Sequence, residues 1–95
     1  MGDDIVARKE KVTRVIDGDT FETDRRKHPV RLANVDAPEL NQRGGKAAKA
    51  ALSRLIAGQE VSIKTVARDK YGRAVANVKV GRRSVNKAMR EKTRK

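Results

Sequence analysis

Three short segments of the chain carry acidic and basic side chains at spacings that suit chemistry on a phosphate. They are Asp17–Thr20, Arg31–Glu39 and Asp69–Arg73. Within them, the carboxylates of Asp19 and Asp36 lie at the start of one predicted strand and at the end of another, so both can meet at one rim of a small barrel. Two carboxylates with a backbone carbonyl and waters form a hard-oxygen site suited to Ca²⁺. The same Asp-Gly-Asp run is equally typical of a plain hairpin turn.

Other residues of the same segments suit phosphate binding and proton transfer. The guanidinium groups of Arg31 and Arg73 can hold phosphate oxygens and the charge that grows in a transition state. Glu39 can take a proton from an attacking water. Tyr71, at a turn between basic residues, can hydrogen-bond a phosphate or stack on a base. Each also has an ordinary interpretation: a surface arginine, a loop carboxylate, or a partly buried aromatic at the barrel rim.

Composition points to a polyanionic partner. The 95 residues form one domain, and 24 Lys and Arg against 12 Asp and Glu give a formal net charge of +12. Such an excess favours binding to phosphates, although a merely soluble, lysine-rich surface would carry it too. Residues 81–95 hold seven of the basic residues and one acid. The absence of cysteine excludes disulfides and thiolate metal sites.

The elements that must position these residues follow from the apolar spacing. The sequence predicts strands over 11–16, 20–24 and 30–35, a helix over 46–57, strands over 60–66 and 73–80, and a helix from 85 to about 92. Asp17-Gly18 predicts the first hairpin turn, Gly58 the end of the first helix, and Ser84 the cap of the second. Residues 1–10 are expected to be a flexible lead-in to a domain over 11–95.

This order, with one helix between the third and fourth of five strands, predicts an α+β, mainly β fold. The expected architecture is a five-stranded OB-fold barrel with a short C-terminal helix, which often binds oligonucleotides. The pattern alone also fits other small five-stranded α+β folds. Because a fold does not determine a function, the site residues must decide it.

Taken together, the three segments resemble the staphylococcal nuclease (thermonuclease) family. The motifs I-D-G-D-T, R-L-x-x-V-D-A-P-E and D-K-Y-G-R occur here in that family's order, and the resemblance runs from about Val12 to Met89. It implies an OB barrel with helices. It also implies a Ca²⁺-dependent endonuclease that hydrolyses DNA and RNA to products with 3′-phosphates.

The resemblance also implies roles around a metal ion. Asp19 and Asp36 match the family's calcium carboxylates, and Ala37 matches the residue whose backbone carbonyl binds the metal. Glu39 matches the proposed general base. We therefore expect Ca²⁺ to be the cofactor.

Four more residues match groups that hold the substrate. Arg31 and Arg73 correspond to the two arginines on the scissile phosphate, and are counted with Glu39 as catalytic. Lys70 and Tyr71 correspond to residues that contact the neighbouring phosphate. The expected partners are therefore DNA and RNA.

The chain departs from the family at two places. The loop after Glu39 is short beside that of the secreted staphylococcal type. After Met89 the family continues through the rest of a helix, an aromatic-bearing segment and a third helix, whereas this sequence stops at Lys95. We therefore expect a C-terminally shortened member, in which nucleoside binding and barrel coverage are reduced.

Two other functions fit part of the sequence. A non-catalytic basic OB-fold module would bind nucleic acid through charge alone, and a basic structural protein of ribosomal type would explain the net charge. The structural protein does not explain why Asp19, Asp36 and Glu39 occur in the family's order beside Arg31. Inactive relatives of the family usually lose the metal carboxylates or the arginines, whereas this chain keeps them, which favours the enzyme over the binding module. We expect a monomer without an obligate protein partner or a membrane span. The family resemblance suggests a secreted or periplasmic location, although Met1–Glu10 lacks the apolar core of a signal peptide.

Overall fold

The fold is known from a computed structural model, which describes residues 9–93. In chain order its elements are β1 Lys9–Asp17, β2 Thr20–Thr23, β3 Val30–Leu32, α1 Gly45–Ile56, β4 Glu60–Arg68, β5 Ala74–Val80, β6 Arg83–Ser84 and α2 Val85–Thr93. Each predicted element is present, and the two-residue β6 is additional. Strand β1 begins at Lys9, so the expected lead-in contributes its last two residues to the sheet. Its residues 1–8 lie outside the described part of the chain.

Five of the strands form a closed ring. The hydrogen-bonded order is β3-β2-β1-β4-β5, and a further parallel pairing of β3 with β5 joins the two ends. In that pairing Val30 lies opposite Ala74 and Leu32 opposite Ala76. Closure removes the open edges of the sheet, and the ring with its helix between β3 and β4 is the predicted OB-like barrel.

The barrel interior is filled by side chains that alternate along the strands. In β4, Val61 and Ile63 are buried while Lys64 is exposed, as expected for a strand with one face on the core. Irregular pairing interrupts β1 near Arg14 and Asp17, and such bulges increase strand twist. The shared core consists of buried residues from the strands and both helices: Val12, Val15, Phe21, Val30, Leu32, Val35, Leu52, Ile56, Val61, Ile63, Ala76, Val78, Val85 and Met89.

Helix α1 packs against β1 and α2 through one apolar face. Ala48, Leu52 and Ile56 are its buried apolar residues, at the spacing of one helical stripe. The helix starts after Gly44, whose φ of 85° lies in the left-handed region, and stops before Gly58, whose φ is 72°. The sequence therefore predicted both the helix and its glycine stop correctly. No helix within residues 9–93 is long and apolar enough to cross a membrane.

Helix α2 is attached to the barrel by one buried amide. Asn86 is 2% exposed, and its Oδ1 accepts a hydrogen bond from the Val78 N–H at 2.7 Å. Its Nδ2 donates to the carbonyls of Ala33 and Ala76, both at 2.9 Å. Ser84 caps the same helix, as predicted, by accepting from the Lys87 N–H at 3.1 Å. Because Ala33 begins the loop that follows β3, Asn86 also fixes the entry to that loop.

Replacing Asn86 by Ala should therefore cost about 3 kcal/mol of unfolding free energy, since the Val78 N–H and the Ala33 carbonyl lose this buried partner at about 1–3 kcal/mol each, while the Ala76 carbonyl keeps the Ala33 N–H. Urea unfolding followed by circular dichroism measures the change. The neighbouring Lys87 is exposed, and Lys87→Ala is the matched control, expected within about 0.5 kcal/mol of wild type. Equal urea midpoints for Asn86→Ala and wild type would show that the amide contributes nothing.

Candidate active site

The β1–β2 turn is pressed directly onto α1. Gly18 is buried in this turn, and a Cβ added to it would lie 2.6 Å from the Cβ of Ala48 and 2.7 Å from the Cβ of Ala37. Real carbon atoms do not approach so closely, so only glycine fits. The turn thus holds Asp17 and Asp19 on either side of a point where hairpin, helix and the loop after β3 meet.

Asp19 is a buried carboxylate with several partners. The residue is 7% exposed. Its Oδ1 accepts from the Thr20 hydroxyl at 2.9 Å, and its Oδ2 accepts from the Ala37 N–H at 3.3 Å. Arg31 Nη2 lies 3.5 Å from the same Oδ2. These contacts link β2, β3 and the loop after β3 at a single side chain.

The surroundings of Asp19 disfavour its charge. Burial raises the pKa of the Asp19 carboxyl, and the nearby Asp17 carboxyl raises it further, while Thr20 and Ala37 act in the opposite direction. The pKa of Asp19 stays raised although Arg31 Nη2 lies 3.5 Å from its carboxylate. A cation placed beside Asp19 would relieve the electrostatic penalty.

The loop after β3 carries the second set of acidic groups. Strand β3 ends at Leu32, earlier than predicted, because the chain turns at Asn34, where φ is 60°. Arg31 Nη2 donates to the Val35 carbonyl at 3.3 Å and so ties the loop back to β3. Asp36 follows and is exposed, which leaves its carboxylate accessible.

Glu39 lies on a compact turn ahead of α1. Its N–H donates to the Gln42 side-chain oxygen, and its carbonyl accepts from the Gln42 N–H, both at 2.9 Å. Gly45 packs against the Glu39 backbone so closely that a Cβ there would overlap the Glu39 carbonyl. The backbone of Glu39 is therefore held, while the residue is exposed and its carboxylate is available.

Arg73 is positioned by Asp69 within one turn of chain. Its Nε donates to Asp69 Oδ2 at 2.6 Å, while Asp69 Oδ1 accepts from the backbone N–H groups of Tyr71 and Arg73, both at 2.9 Å. Partial burial acts to raise the pKa of Asp69, but the bonds from Arg73 and Tyr71 lower it on balance. An ionised Asp69 therefore fixes both the turn and the guanidinium.

Tyr71 stands on this turn and is 67% exposed. The interpretation of Tyr71 as a partly buried rim aromatic is therefore wrong. Its ring lies 5.4 Å from Lys70 Nζ and 5.4 Å from Arg73 Cζ, distances within reach of a cation–π contact. Lys70 and Tyr71 lie beside the cleft that the other predicted site residues line, not in its wall.

That cleft, of about 560 Å³, brings together all six residues predicted for metal binding and catalysis. Its lining is Asp17, Asp19, Arg31, Asp36, Ala37, Glu39, Leu40, Asn41 and Arg73. Four carboxylates face two guanidinium groups there, a formal excess of two negative charges within a strongly basic protein. A divalent cation would balance this excess. We call this 560 Å³ cleft the acidic cleft.

The donors available to such an ion are all hard oxygens, which suits Ca²⁺ or Mg²⁺ rather than a soft metal. Within residues 9–93, no three acidic, histidine or cysteine side chains are close enough together to hold a metal by themselves. Backbone carbonyl, water or phosphate oxygens would have to complete the coordination.

The closed ring of five strands with a helix between β3 and β4 defines an OB-like fold, and the acidic cleft lies at its rim. The chain matches the model of the staphylococcal nuclease homologue family over residues 29–92, and it belongs to that family.

Curated relatives support this membership. An uncharacterized endonuclease of Escherichia coli O157:H7 is 40% identical over 70 residues, covering 72% of this chain and 46% of that protein. Micrococcal nuclease of Shigella flexneri is also 40% identical over 70 residues, covering 72% and 40%. An uncharacterized endonuclease of Haemophilus influenzae is 33% identical over 82 residues, covering 83% and 46%. The chain thus spans less than half the length of these relatives.

Sequence reasoning gave no role to two residues that the site uses. Asp17 lines the cleft and accepts from the Asp19 N–H at 3.1 Å, although its position in the turn motif suggested only a hairpin. Asp69 orients Arg73. Its position four residues before an arginine was a signal that could have identified the pair.

Asp19→Asn should make the free protein more stable at pH 7. Because the native pKa is raised, the unfolded state binds fewer protons, so the contribution of Asp19 to stability falls as pH rises through the native pKa. The penalty is absent below the ordinary aspartate pKa of about 4, where wild type and variant should have similar urea midpoints. The measurement is urea unfolding at both pH values in chelator.

Asp36→Asn is the control for this comparison, since Asp36 is exposed and its charge is already solvated. Its midpoint should stay close to that of wild type. A lower midpoint for Asp19→Asn at pH 7 would mean that Arg31 and the Ala37 N–H outweigh burial.

Proposed function

We propose that this chain is a Ca²⁺-dependent endonuclease that hydrolyses DNA and RNA to products with 3′-phosphates. One observation carries the proposal. Asp19, Asp36, Arg31, Glu39 and Arg73 come from three separate segments of the chain and line one cleft. The nuclease names of its relatives agree with this chemistry, and the two finer points, the metal and the product ends, rest on the family resemblance.

The acidic cleft fits a calcium ion by the chemistry of its donors. Asp19, Asp36 and the Ala37 carbonyl would hold it, and the excess negative charge of the lining would be balanced by it. When bound, Ca²⁺ supplies Lewis-acid polarisation of the phosphate and neutralises its charge. Burial and the neighbouring Asp17 raise the pKa of Asp19, and a cation bound beside this carboxylate would offset that electrostatic cost, which supports the assignment.

The reaction itself requires a proton acceptor and charge stabilisation from the chain. Glu39 accepts a proton from a water that attacks phosphorus, and its fixed backbone with an exposed carboxylate suits this role. Arg31 and Arg73 bind the non-bridging oxygens and stabilise the growing negative charge. The bond from phosphorus to the 5′-oxygen breaks, and the departing oxygen takes a proton from solvent, which leaves a 5′-hydroxyl on one product and a 3′-phosphate on the other.

Substrate binding is the proposed role of Lys70 and Tyr71. Both lie on the turn beside the cleft, where an exposed ring and an ammonium group can contact the nucleotide next to the scissile phosphate. A monomeric state and a secreted or periplasmic location belong to the same proposal, and both rest on the family resemblance.

Calorimetry should detect Ca²⁺ binding that Asp19→Ala or Asp36→Ala abolishes, because each variant removes one of the two carboxylates of the proposed site. Glu91→Ala is the matched control, since it removes an exposed carboxylate on α2 and should leave binding unchanged. Equal Ca²⁺ binding by wild type and both site variants would remove the metal site.

Arg73→Ala and Glu39→Gln should each lower Ca²⁺-dependent DNA cleavage by roughly a hundredfold or more, with much smaller changes in DNA affinity. Glu39→Gln keeps the turn intact, because the Glu39 backbone rather than its carboxylate holds Gln42. Tyr71→Phe should weaken binding with less loss of turnover. Single-turnover cleavage and fluorescence anisotropy separate these effects.

Arg54 is exposed, and Arg54→Ala serves as the control for the removal of a positive charge. This variant should cleave DNA at the wild-type rate. End-labelling of the products tests for 3′-phosphates. If the folded wild type binds DNA but never cuts it with Ca²⁺, the non-catalytic OB-fold binding module is the correct function instead.

A further inference from the structure

A second cleft lies on the other side of the 69–73 turn. It has a volume of about 230 Å³ and is lined by the β2–β3 loop, the end of β4 and the start of β5: Arg26, Lys27, His28, Arg68 and Ala74. Its lining contains no carboxylate, unlike that of the acidic cleft. We call it the basic cleft.

The basic cleft is built around an anchored arginine. Arg26 Nε donates to both carboxylate oxygens of Glu10, at 2.9 and 3.1 Å, and Glu10 is 6% exposed. The Thr23 hydroxyl donates to the same carboxylate at 2.6 Å. Within residues 9–93, Arg26 makes this ion pair through Nε, and the residue also lines the cleft.

Arg68 and Lys27 supply the unbalanced positive charge. Arg68 Nη1 donates to the Gly72 carbonyl at 3.3 Å, which fixes its guanidinium beside the turn. Lys27 is exposed, and no carboxylate within residues 9–93 pairs with either side chain. Guanidinium forks beside an exposed ammonium group are suited to phosphate oxygens.

The two clefts lie next to each other along the chain, at the end of the 69–73 turn. Arg73 lines the acidic cleft, and the next residue, Ala74, lines the basic cleft. His28 lies on the far side of the turn, where a Cβ added to Gly72 would be 3.7 Å from its Nε2. The exposed ring of Tyr71 stands on the turn between them and can stack on a base.

We propose that the basic cleft binds a second backbone phosphate of the nucleic-acid strand whose scissile phosphate occupies the acidic cleft. The strand crosses the 69–73 turn, so Arg26, Lys27 and Arg68 determine binding only of substrates long enough to reach them. This inference rests on the proposed function for the position of the scissile phosphate. It assigns a length-dependent subsite to residues outside the three motifs.

The test is binding of a single-stranded decanucleotide and of a dinucleotide bisphosphate, measured in chelator over a range of salt concentrations. Lys27→Ala/Arg68→Ala should weaken decanucleotide binding at least tenfold and reduce the slope of log K against log salt by roughly 0.7 for each phosphate that is no longer neutralised. Dinucleotide affinity should fall much less. Arg26 is left intact, because its removal would strand the buried Glu10 carboxylate.

Two further variants sharpen the comparison. Arg54→Ala/Lys87→Ala removes the same charges from exposed positions outside both clefts and should retain the wild-type slope. Lys27→Arg/Arg68→Lys keeps both charges and should restore most of the affinity. Circular dichroism checks folding of each protein.

An unchanged decanucleotide slope in Lys27→Ala/Arg68→Ala would overturn the inference. So would an equal loss for the dinucleotide, or an equal loss in Arg54→Ala/Lys87→Ala, since either would indicate a general effect of net charge. Because binding is measured without cleavage, a chain that fails to cut but shows the length-dependent loss would refute the nuclease function and leave the second phosphate site standing.

Discussion

The parallel pairing of β3 with β5 is the interaction on which the site depends. It joins Val30 to Ala74 and Arg31 to Val75, and so closes the ring at the two ends of the strand order β3-β2-β1-β4-β5. Two of the three motif segments lie before α1, and the third lies after β4. Without closure, Arg73 would have no fixed relation to the carboxylates. This short pairing therefore brings Arg31 and Arg73 to the same side of the barrel.

The charge distribution around this closure is divided between two surfaces. The acidic cleft, which is lined by Arg31 and Arg73, has more carboxylates than guanidinium groups, although the protein as a whole has a formal charge of +12. Burial and the neighbouring Asp17 raise the pKa of Asp19, so the charged form of this carboxylate is disfavoured and lowers the stability of the free protein. Sites that bind cations commonly accept this cost for function. The basic charge lies outside the cleft, where it can attract a nucleic-acid backbone.

Local signals in the sequence were sufficient for the element order, whereas the choice of a barrel over other small α+β folds also needed the family resemblance. Asp17-Gly18, Gly58 and Ser84 were correctly interpreted because turn and cap chemistry acts within a few residues. The end of β3 at Leu32 was not foreseen, since it depends on Asn34 adopting a positive φ. The long-range Glu10–Arg26 pair leaves no local pattern, so the basic cleft was invisible to sequence reasoning.

The two glycines beside α1 show that backbone contact, as much as side-chain chemistry, builds the candidate site. Gly18 lets the β1–β2 turn touch Ala48, and Gly45 lets the start of the same helix touch the Glu39 backbone. One helix thus holds the backbone beside Asp19 from one side and the backbone of Glu39 from the other. Leu52 and Ile56 also pack α1 into the core. A change in core packing that moves α1 would therefore alter the positions of Asp19 and Glu39 together. Stability of the barrel and geometry of the site are therefore coupled through α1.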